Sequence, residues 1–232
     1  MQVTIIHGQN HKGSSYHIGR KLLEKINNVT LVNEFFLPKD LNHFCLGCYK
    51  CIEGNENCPF FEEKNIIMHA VENSDLLIFT TPTYCLAPSA PIKSFIDLTF
   101  TYWMSHRPSK CMFSKKALVI ATAAGTGAKQ AVKQIKKTIF YWGVPWIKGY
   151  GISVQAMNWD GVSEKKKKKI ESDVIKIANT VNRVKNPKVG IKTQFVFWMM
   201  GNMQKANWGS SPFEKQYWSE QGWLEKERPW KK

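Results

Sequence analysis

Four of the six cysteines of this chain lie close together, in the segment CLGCYKCIEGNENC. They are Cys45, Cys48, Cys51 and Cys58, with the spacing C-x2-C-x2-C-x6-C. Thiolate sulfurs bind iron in cubane clusters, and three cysteines at two-residue intervals can surround one corner of a cluster. Structural zinc more often uses two C-x2-C pairs that lie further apart, so the spacing favours a 4Fe–4S cluster. A turn-rich loop of reduced thiols is the alternative, since Gly47 and Gly54 are also typical of turns.

A second candidate site follows the first predicted strand, residues 3–8. Gly8 and Gly13 allow sharp backbone turns, and a helix is predicted to begin near Ser14. The free N–H groups and the positive dipole end of that helix favour a phosphate group. The residues expected to contribute are Gln9, Asn10, His11, Lys12, Gly13, Ser14 and Ser15. The P-loop order and the dinucleotide order G-x-G-x-x-G are both missing, and an ordinary polar loop is the alternative.

Two further loops have flat or small residues where a strand ends. The segment TTPTYC contains Pro82, Thr83, Tyr84 and Cys85, which suit a planar ring stacked on Tyr84 or bonded at its edge by backbone N–H groups. The segment ATAAGTG contains Thr122, Ala123, Gly125, Thr126 and Gly127, which let a flat ligand approach the backbone closely. Without a ligand, Tyr84 would be interfacial core and the ATAAGTG segment a tight turn.

Strands and helices alternate five times along the first part of the chain. Apolar runs predict strands at residues 3–8, 29–37, 75–84, within 115–128, and at 144–154. The third of these strands is expected to be stopped by Pro82. Amphipathic spacing predicts helices at 14–26, 60–74, 87–104, 129–143 and 162–184. This pattern predicts an α/β fold with an open, doubly wound, five-stranded parallel sheet. Ligands bind at the carboxyl ends of such strands. The three loops should therefore meet and suit flavin mononucleotide (FMN), with one loop for the phosphate and two for the ring.

The last part of the chain interrupts this alternation. Residues 1–186 are predicted to form the FMN-binding domain, and residues 187–232 a C-terminal helical, aromatic-rich extension. Four of the nine tryptophans lie beyond residue 205, at Trp208, Trp218, Trp223 and Trp230. Such aromatic surface is a liability when exposed. We therefore expect the extension to pack on the core or on a second subunit.

Composition narrows the class of protein. The chain has 232 residues, of which 43% are hydrophobic, and a net charge of +15. A basic surface attracts phosphates, nucleic acid or acidic lipid head groups, but much of the excess lies in residues 163–188, where a solvated helix face is expected. No nucleic-acid partner is expected because no recognised binding module is present. No apolar run approaches the roughly 18 residues of a membrane span, and no signal peptide is evident, which favours a cytoplasmic location.

The loop residues resemble those of a known family. The segment HGQNHKGSS is similar to the G-S-P-R-K-G-x-[NS]-[TS] turn of NAD(P)H-dependent FMN reductases, in the flavodoxin-like superfamily. The segments TPTY and IKSFIDL resemble that family's S-P-[VT]-Y and the K-x-F-I-D helix after it. The cysteine segment resembles the motif of iron–sulfur flavoproteins, a branch of the family found in anaerobic microbes. The chain departs from the pattern at Gln9, Asn10 and His11, which stand where the family has Ser, Pro and Arg.

The resemblance implies a flavodoxin-like strand order of 2-1-3-4-5 and an FMN-dependent oxidoreductase. FMN would supply the chemistry, so no side chain is expected to be catalytic. NAD(P)H, or a reduced ferredoxin if the cluster is present, would reduce the flavin, and a quinone, nitro-compound or oxygen would accept the electrons. Family flavin sites that are completed by a neighbour imply a homodimer. A non-enzymatic flavodoxin-like electron carrier and a flavin-free basic nucleic-acid-binding or sensor protein are the alternatives at this point.

Overall fold

A parallel sheet lies between two layers of helices in the computed structural model, which describes residues 1–208 and 211–231. The strands are β1 (Gln2–His7), β2 (Leu31–Phe36), β3 (Leu76–Tyr84), β4 (Ala87–Pro88), β5 (Lys116–Ala123) and β6 (Trp146–Ser153). The helices are α1 (Ser14–Leu23), α2 (Phe61–Asn73), α3 (Ala90–Leu98), α4 (Ala128–Tyr141), α5 (Glu164–Arg183), α6 (Ile191–Lys205) and α7 (Pro212–Glu220).

The five parallel strands follow the order β2-β1-β3-β5-β6. Without the short strand β4, this is the predicted order 2-1-3-4-5, and the predicted flavodoxin-like sheet is confirmed. β3 is central, pairing with β1 as far as His7↔Thr80 and with β5 as far as Pro82↔Thr122. β5 is buried along its whole length, as expected of a parallel strand covered by helices on both faces.

The structure differs from the sequence prediction at Pro82, which was expected to stop the third strand. β3 continues through Pro82 to Tyr84 and turns back into β4. The pairing between β1 and β3 ends at Thr80, so β1 forms no backbone hydrogen bonds with Pro82. A proline, which has no N–H to donate, is tolerated where one side of a strand is free.

The helix predicted at residues 87–104 is also shorter than expected. Ala87 and Pro88 pair with β3, so α3 begins only at Ala90, and it ends at Leu98. The hydroxyl of Thr99 donates to the carbonyl oxygens of Phe95 and Ile96. Such bonds from a threonine hydroxyl compete with continuation of the helix, and a 3-10 turn follows at Phe100–Tyr102.

The C-terminal extension packs on the domain and forms a third apolar cluster with it. Phe197 of α6 stacks on Trp218 of α7, with ring centroids 4.7 Å apart. The ring of Phe197 also meets that of Phe113 edge to face, at 5.6 Å, and all three residues belong to this cluster. α7 begins with a capping box in which Ser211 and Glu214 exchange hydrogen bonds. In the described ranges, no helix combines the length and apolar character that a membrane span requires.

A short segment, residues 104–108, connects the extension to the rest of the chain by backbone carbonyl groups. Three extension side chains donate to it: Gln204 to the Ser105 oxygen at 2.9 Å, Trp218 to the His106 oxygen at 2.5 Å and Tyr217 to the Pro108 oxygen at 2.8 Å. The buried Glu214 carboxylate lies 2.7 Å from Nδ1 of His106. These bonds satisfy polar groups that would otherwise be costly to bury, so the extension and the segment form one unit.

Candidate active site

Three loops leave the carboxyl ends of neighbouring strands at one edge of the sheet. The first loop follows β1, the second follows β3 and includes β4, and the third follows β5. Because β1, β3 and β5 are adjacent, the loops lie side by side, as the sequence predicted.

The first and second loops are joined by a buried serine. Oγ of Ser89, which is fully buried, donates to the carbonyl oxygen of Gly8 at 2.5 Å. The amide of Ser89 donates to Oγ1 of Thr81 at 3.0 Å, and the amide of Gly8 donates to the Thr80 oxygen at 2.7 Å. A Cβ at Gly8 would lie 2.7 Å from Oγ of Ser89, so only glycine permits this approach.

The second and third loops meet at Gly127. Cys85 and Leu86 have φ angles of 49° and 62° and form the two-residue turn between β3 and β4, the conformation that hairpins prefer. Gly127 has a φ of 97°, and a Cβ there would lie 2.9 Å from Cα of Leu86 and 3.0 Å from Cγ2 of Thr83. The turn therefore packs directly on the third loop.

The predicted phosphate-loop residues differ in exposure. Asn10, His11 and Lys12 are exposed, Gln9 is half-buried, and Ser14 and Ser15 are buried in the first turn of α1. Gly13 is the N-cap of α1, and none of the described side chains caps this helix. The exposed ammonium of Lys12 lies 5.7 Å from the ring centroid of Tyr16. An uncapped helix start beside an exposed cation is suited to a phosphate group.

A buried histidine supports the first loop from below. Nδ1 of His7, the last residue of β1, lies 2.8 Å from Oγ1 of Thr80, and its Nε2 lies 2.8 Å from a carboxylate oxygen of Glu34. Arg20 pairs with the same carboxylate at 3.4 Å. Burial lowers the pKa of His7, although the hydrogen bond that its ring donates to Glu34 opposes this shift. The neutral ring bridges β1 to both neighbouring strands.

The residues predicted to contact a ring divide into exposed and buried sets. Tyr84, Cys85, Gly125 and Thr126 are exposed, whereas Thr122, Ala123 and Gly127 are buried and Pro82 is half-buried. Oγ1 of Thr83 is buried and has no hydrogen-bond partner among the described residues. A Cβ at Gly125 would meet nothing within 4 Å. The edge therefore offers an unused polar atom and open space above the third loop, which fit a polar, flat ligand.

All four clustered cysteines line a single cavity of about 350 Å³. Cys45 and Cys48 are exposed, Cys58 is half-buried and Cys51 is buried. The other walls include Leu46, Tyr49, Phe60, Asp97, Leu98 and Phe100. α3 begins directly after Ser89 and ends at Leu98, and its nine residues span about 13 Å. This helix therefore connects the joined loops to the cysteine cavity.

Two cationic side chains, Arg107 and Lys64, lie next to the cysteine loop. The guanidinium of Arg107, in the 104–108 segment, donates to the carbonyl oxygen of Cys51 and, at 3.4 Å, to Oδ1 of Asn55. Lys64 is buried in the first turn of α2. Burial raises the pKa of the Cys51 thiol, and the positive charge of Lys64 opposes that rise. These surroundings favour an anionic group.

Sequence reasoning missed Leu86, Ser89, Lys64 and Arg107 at these sites. Lys64 did carry a signal, because it lies on the apolar face of α2, in helical spacing with Ile67, Met68 and Val71. Ser89 and Leu86 have no comparable local pattern, since their partners lie in other loops.

The fold is shared with a solved oxidoreductase. An NAD(P)H:quinone oxidoreductase from Methanothermobacter marburgensis superposes with a TM-score of 0.62 at 14% identity, covering 80% of this chain and 98% of that one. At this identity the likeness concerns the fold alone. Fold and strand order together define a protein of the flavodoxin-like class.

Sequence comparison identifies the family within that class. Residues 1–157 match the model of the NADPH-dependent FMN reductase family, so the chain belongs to this family and is an NAD(P)H-dependent FMN oxidoreductase. The resemblance to FMN reductases predicted from the loops is thereby confirmed.

Two relatives carry iron–sulfur names. An iron–sulfur flavoprotein of Clostridioides difficile is 24% identical over 197 residues, covering 82% of this chain and 83% of that one. An iron–sulfur flavoprotein of Archaeoglobus fulgidus is 30% identical over 103 residues, so the match spans 44% of each chain, less than half of the archaeal protein.

Two alanine substitutions in the third loop separate loop packing from ligand contact. In Gly127→Ala the positive φ and the approach to Leu86 should lower the free energy of unfolding by about 1–3 kcal/mol and weaken FMN binding. In Gly125→Ala the new methyl group enters open space, so stability should stay unchanged while FMN binding weakens. Urea unfolding and fluorescence titration with FMN measure the two effects.

Gly190→Ala serves as the control. Its Cβ also meets nothing within 4 Å, but it lies at the N-cap of α6, far from the three loops, so FMN binding should stay unchanged. Alanine is a weaker N-cap than glycine, so the free energy of unfolding should fall by no more than about 1 kcal/mol. Wild-type FMN affinity in both loop variants would contradict a ring placed against the third loop.

Proposed function

We propose that the three joined loops bind FMN and that the enzyme passes electrons from a reduced nicotinamide to a quinone, a nitro-compound or oxygen. The observation that carries this proposal is the physical connection of the three strand exits through Ser89 and Gly127. A site whose loops are fixed before binding loses little conformational entropy when the ligand arrives. When bound, FMN supplies the redox chemistry.

The first loop would bind the phosphate. The N–H groups of Ser14 and Ser15 are free of side-chain caps in the described chain and lie at the positive end of α1, whereas the Gly13 amide donates to the His11 oxygen at 2.9 Å. Lys12 would add a charge, and the hydroxyl groups of Ser14 and Ser15 would donate hydrogen bonds. His11, at the position of the family's arginine, would contribute a charge only when protonated.

The second and third loops would bind the ring. The unpaired Oγ1 of Thr83 and the backbone of Tyr84 and Cys85 are suited to the polar edge of an isoalloxazine. The exposed ring of Tyr84 offers a stacking surface on one side. The open backbone at Gly125 and Thr126 lets the other side of the ring approach closely.

We further propose that Cys45, Cys48, Cys51 and Cys58 bind a 4Fe–4S cluster and that reduced ferredoxin can then serve as electron donor. The four thiols share a cavity, and the guanidinium of Arg107 donates to the carbonyl oxygen of one of these cysteines, Cys51. Among the described residues, no three His, Cys, Asp or Glu side chains converge as a single metal ion requires. A cubane cluster instead binds each cysteine at a separate iron, and two relatives are iron–sulfur flavoproteins by name.

One anaerobic preparation tests both parts of this proposal. The wild-type protein should bind FMN, consume NADPH when a quinone is added, and contain iron and sulfide with a broad brown absorption that air removes. Lys12→Ala should weaken FMN binding about tenfold, since it removes one charge-assisted contact, while Lys185→Ala, a remote exposed lysine, should not. Cys51→Ser should lose iron, whereas Cys111→Ser, outside the cysteine segment, should retain it.

The outcomes separate the alternatives. Bound FMN without consumption of NADPH would favour an electron carrier, and failure to bind FMN would favour a flavin-free protein. If the wild-type protein binds FMN but contains no iron, the proposed reductase activity stands and the proposed cluster is rejected.

We also propose a homodimer in which the outer face of α6 takes part. Val196, Phe197 and Met200 of α6 face the core, yet Phe195 and Trp198, on the opposite side, are 58% and 57% exposed. Contiguous exposed aromatic surface is typical of protein interfaces.

The native mass in solution tests this proposal. Trp198→Glu should convert the dimer to a monomer, because it places a charge in the apolar contact, whereas Ile175→Glu, on an exposed position of α5, should leave the dimer intact. A dimer that persists in Trp198→Glu would contradict the role of α6, and a wild-type monomer would contradict the dimer itself.

A further inference from the structure

Lys64 is a buried cation without a visible partner. Its side chain lies in the first turn of α2 and is 2% exposed. Within the described ranges its Nζ atom has no hydrogen-bond acceptor and takes part in no ion pair. A buried ammonium that lacks both is strongly disfavoured. The position therefore calls for an anionic group that the polypeptide itself does not supply.

Lys64 lies beside the cysteine cavity. The amide of Phe61, the first residue of α2, donates to the carbonyl oxygen of Cys58 at 3.0 Å, and the amide of Lys64 donates to the oxygen of Phe60 at 3.2 Å; Cys58 and Phe60 both line the cavity. Helical side chains lean toward the N-terminus of their helix, which for α2 is the end next to Cys58. Asp97, the carboxylate on the cavity wall, is paired with Lys93 at 2.6 Å and 2.7 Å. Glu62 and Glu63, the two acidic residues in the first turn of α2, are exposed, and neither pairs with Lys64.

Arg107 is a second cation with a buried nitrogen that has no partner among the described residues. Arg107 donates to the carbonyl oxygen of Cys51, yet its Nε atom is buried and unpaired among the described residues. The uncapped N-terminus of α2 adds a partial positive charge next to Cys58. Two cationic side chains and the N-terminus of α2 therefore lie beside the loop that carries the four cysteines.

We propose that Lys64 is the counter-charge of the group bound by the four cysteines and that it raises the reduction potential of that group. This inference rests on the proposed 4Fe–4S cluster. Four thiolates outweigh the positive charge of an oxidised iron–sulfur core, so the complex is anionic, and the one electron that it accepts from the donor makes it more so. A fixed buried cation stabilises the reduced form more than the oxidised one, because little water is present to screen it. Lys64 is thus a positioning residue that acts through charge.

An anaerobic redox titration followed by electron paramagnetic resonance tests this role. Lys64→Met removes the charge and keeps most of the volume, so the midpoint potential of the cluster should become more negative than in the wild-type protein. Lys64→Arg keeps the charge and should stay close to wild type. Lys21→Met, a surface lysine that pairs with Glu171 on the other side of the sheet, is the control and should leave the potential unchanged.

Iron, sulfide and FMN contents accompany each titration. Loss of iron in Lys64→Met with FMN retained would also support the counter-charge, because the fold is then intact and only the anionic group is lost. If Lys64→Met does not fold, Lys64→Gln is titrated instead under the same expectation.

Two results would overturn the inference and can be told apart. Equal midpoint potentials in wild type and Lys64→Met, with equal iron content, would remove the role of Lys64 alone. A wild-type protein that takes up no iron or sulfide on anaerobic reconstitution would remove the proposed cluster, and the inference with it.

Discussion

The hydroxyl group of Ser89 imposes the constraint on which the candidate active site depends. Backbone pairing between β1 and β3 ends at His7 and Thr80, just before the chain enters the two loops. Beyond that point, the bond from Ser89 to the Gly8 carbonyl group connects them, together with the bond from the Gly8 amide to the Thr80 oxygen. Since Ser89 also bonds to Thr81 and precedes α3, one buried residue fixes the first loop, the turn of the second loop and the start of a helix. The packing of Gly127 on Leu86 extends this connection to the third loop.

The cysteine cavity is held by different means, from outside the sheet. The carbonyl oxygen of Cys51 accepts from Arg107, and the segment that carries Arg107 is bonded to α6 and α7 by Gln204, Tyr217 and Trp218. The aromatic extension is therefore part of the structure that supports the cysteine loop, in addition to covering an apolar surface of the domain. α3 connects this region to the flavin loops, which places the two proposed redox groups at opposite ends of one short helix.

Much of this architecture could be predicted from the amino-acid sequence because it depends on local pattern. Buried parallel strands are apolar runs, the helices between them are amphipathic, and small or polar residues follow three of the strands. The failures have physical reasons. Pro82 seemed to end β3, but β1 stops earlier and leaves one side of the strand free; the helix after it was overextended, because Ala87 and Pro88 pair with β3 and Thr99 bonds to the backbone. Ser89 gave no signal because its partner is 81 residues away.

The position of FMN in a crystal structure of its complex with this protein tests the central claim most directly. The account predicts the phosphate against the backbone N–H groups of Ser14 and Ser15 and the ring between the Thr83–Leu86 turn and Gly125, with the Ser89 bond to Gly8 unchanged. FMN bound elsewhere, for example in the cysteine cavity, or absent from crystals grown at saturating FMN, would contradict it.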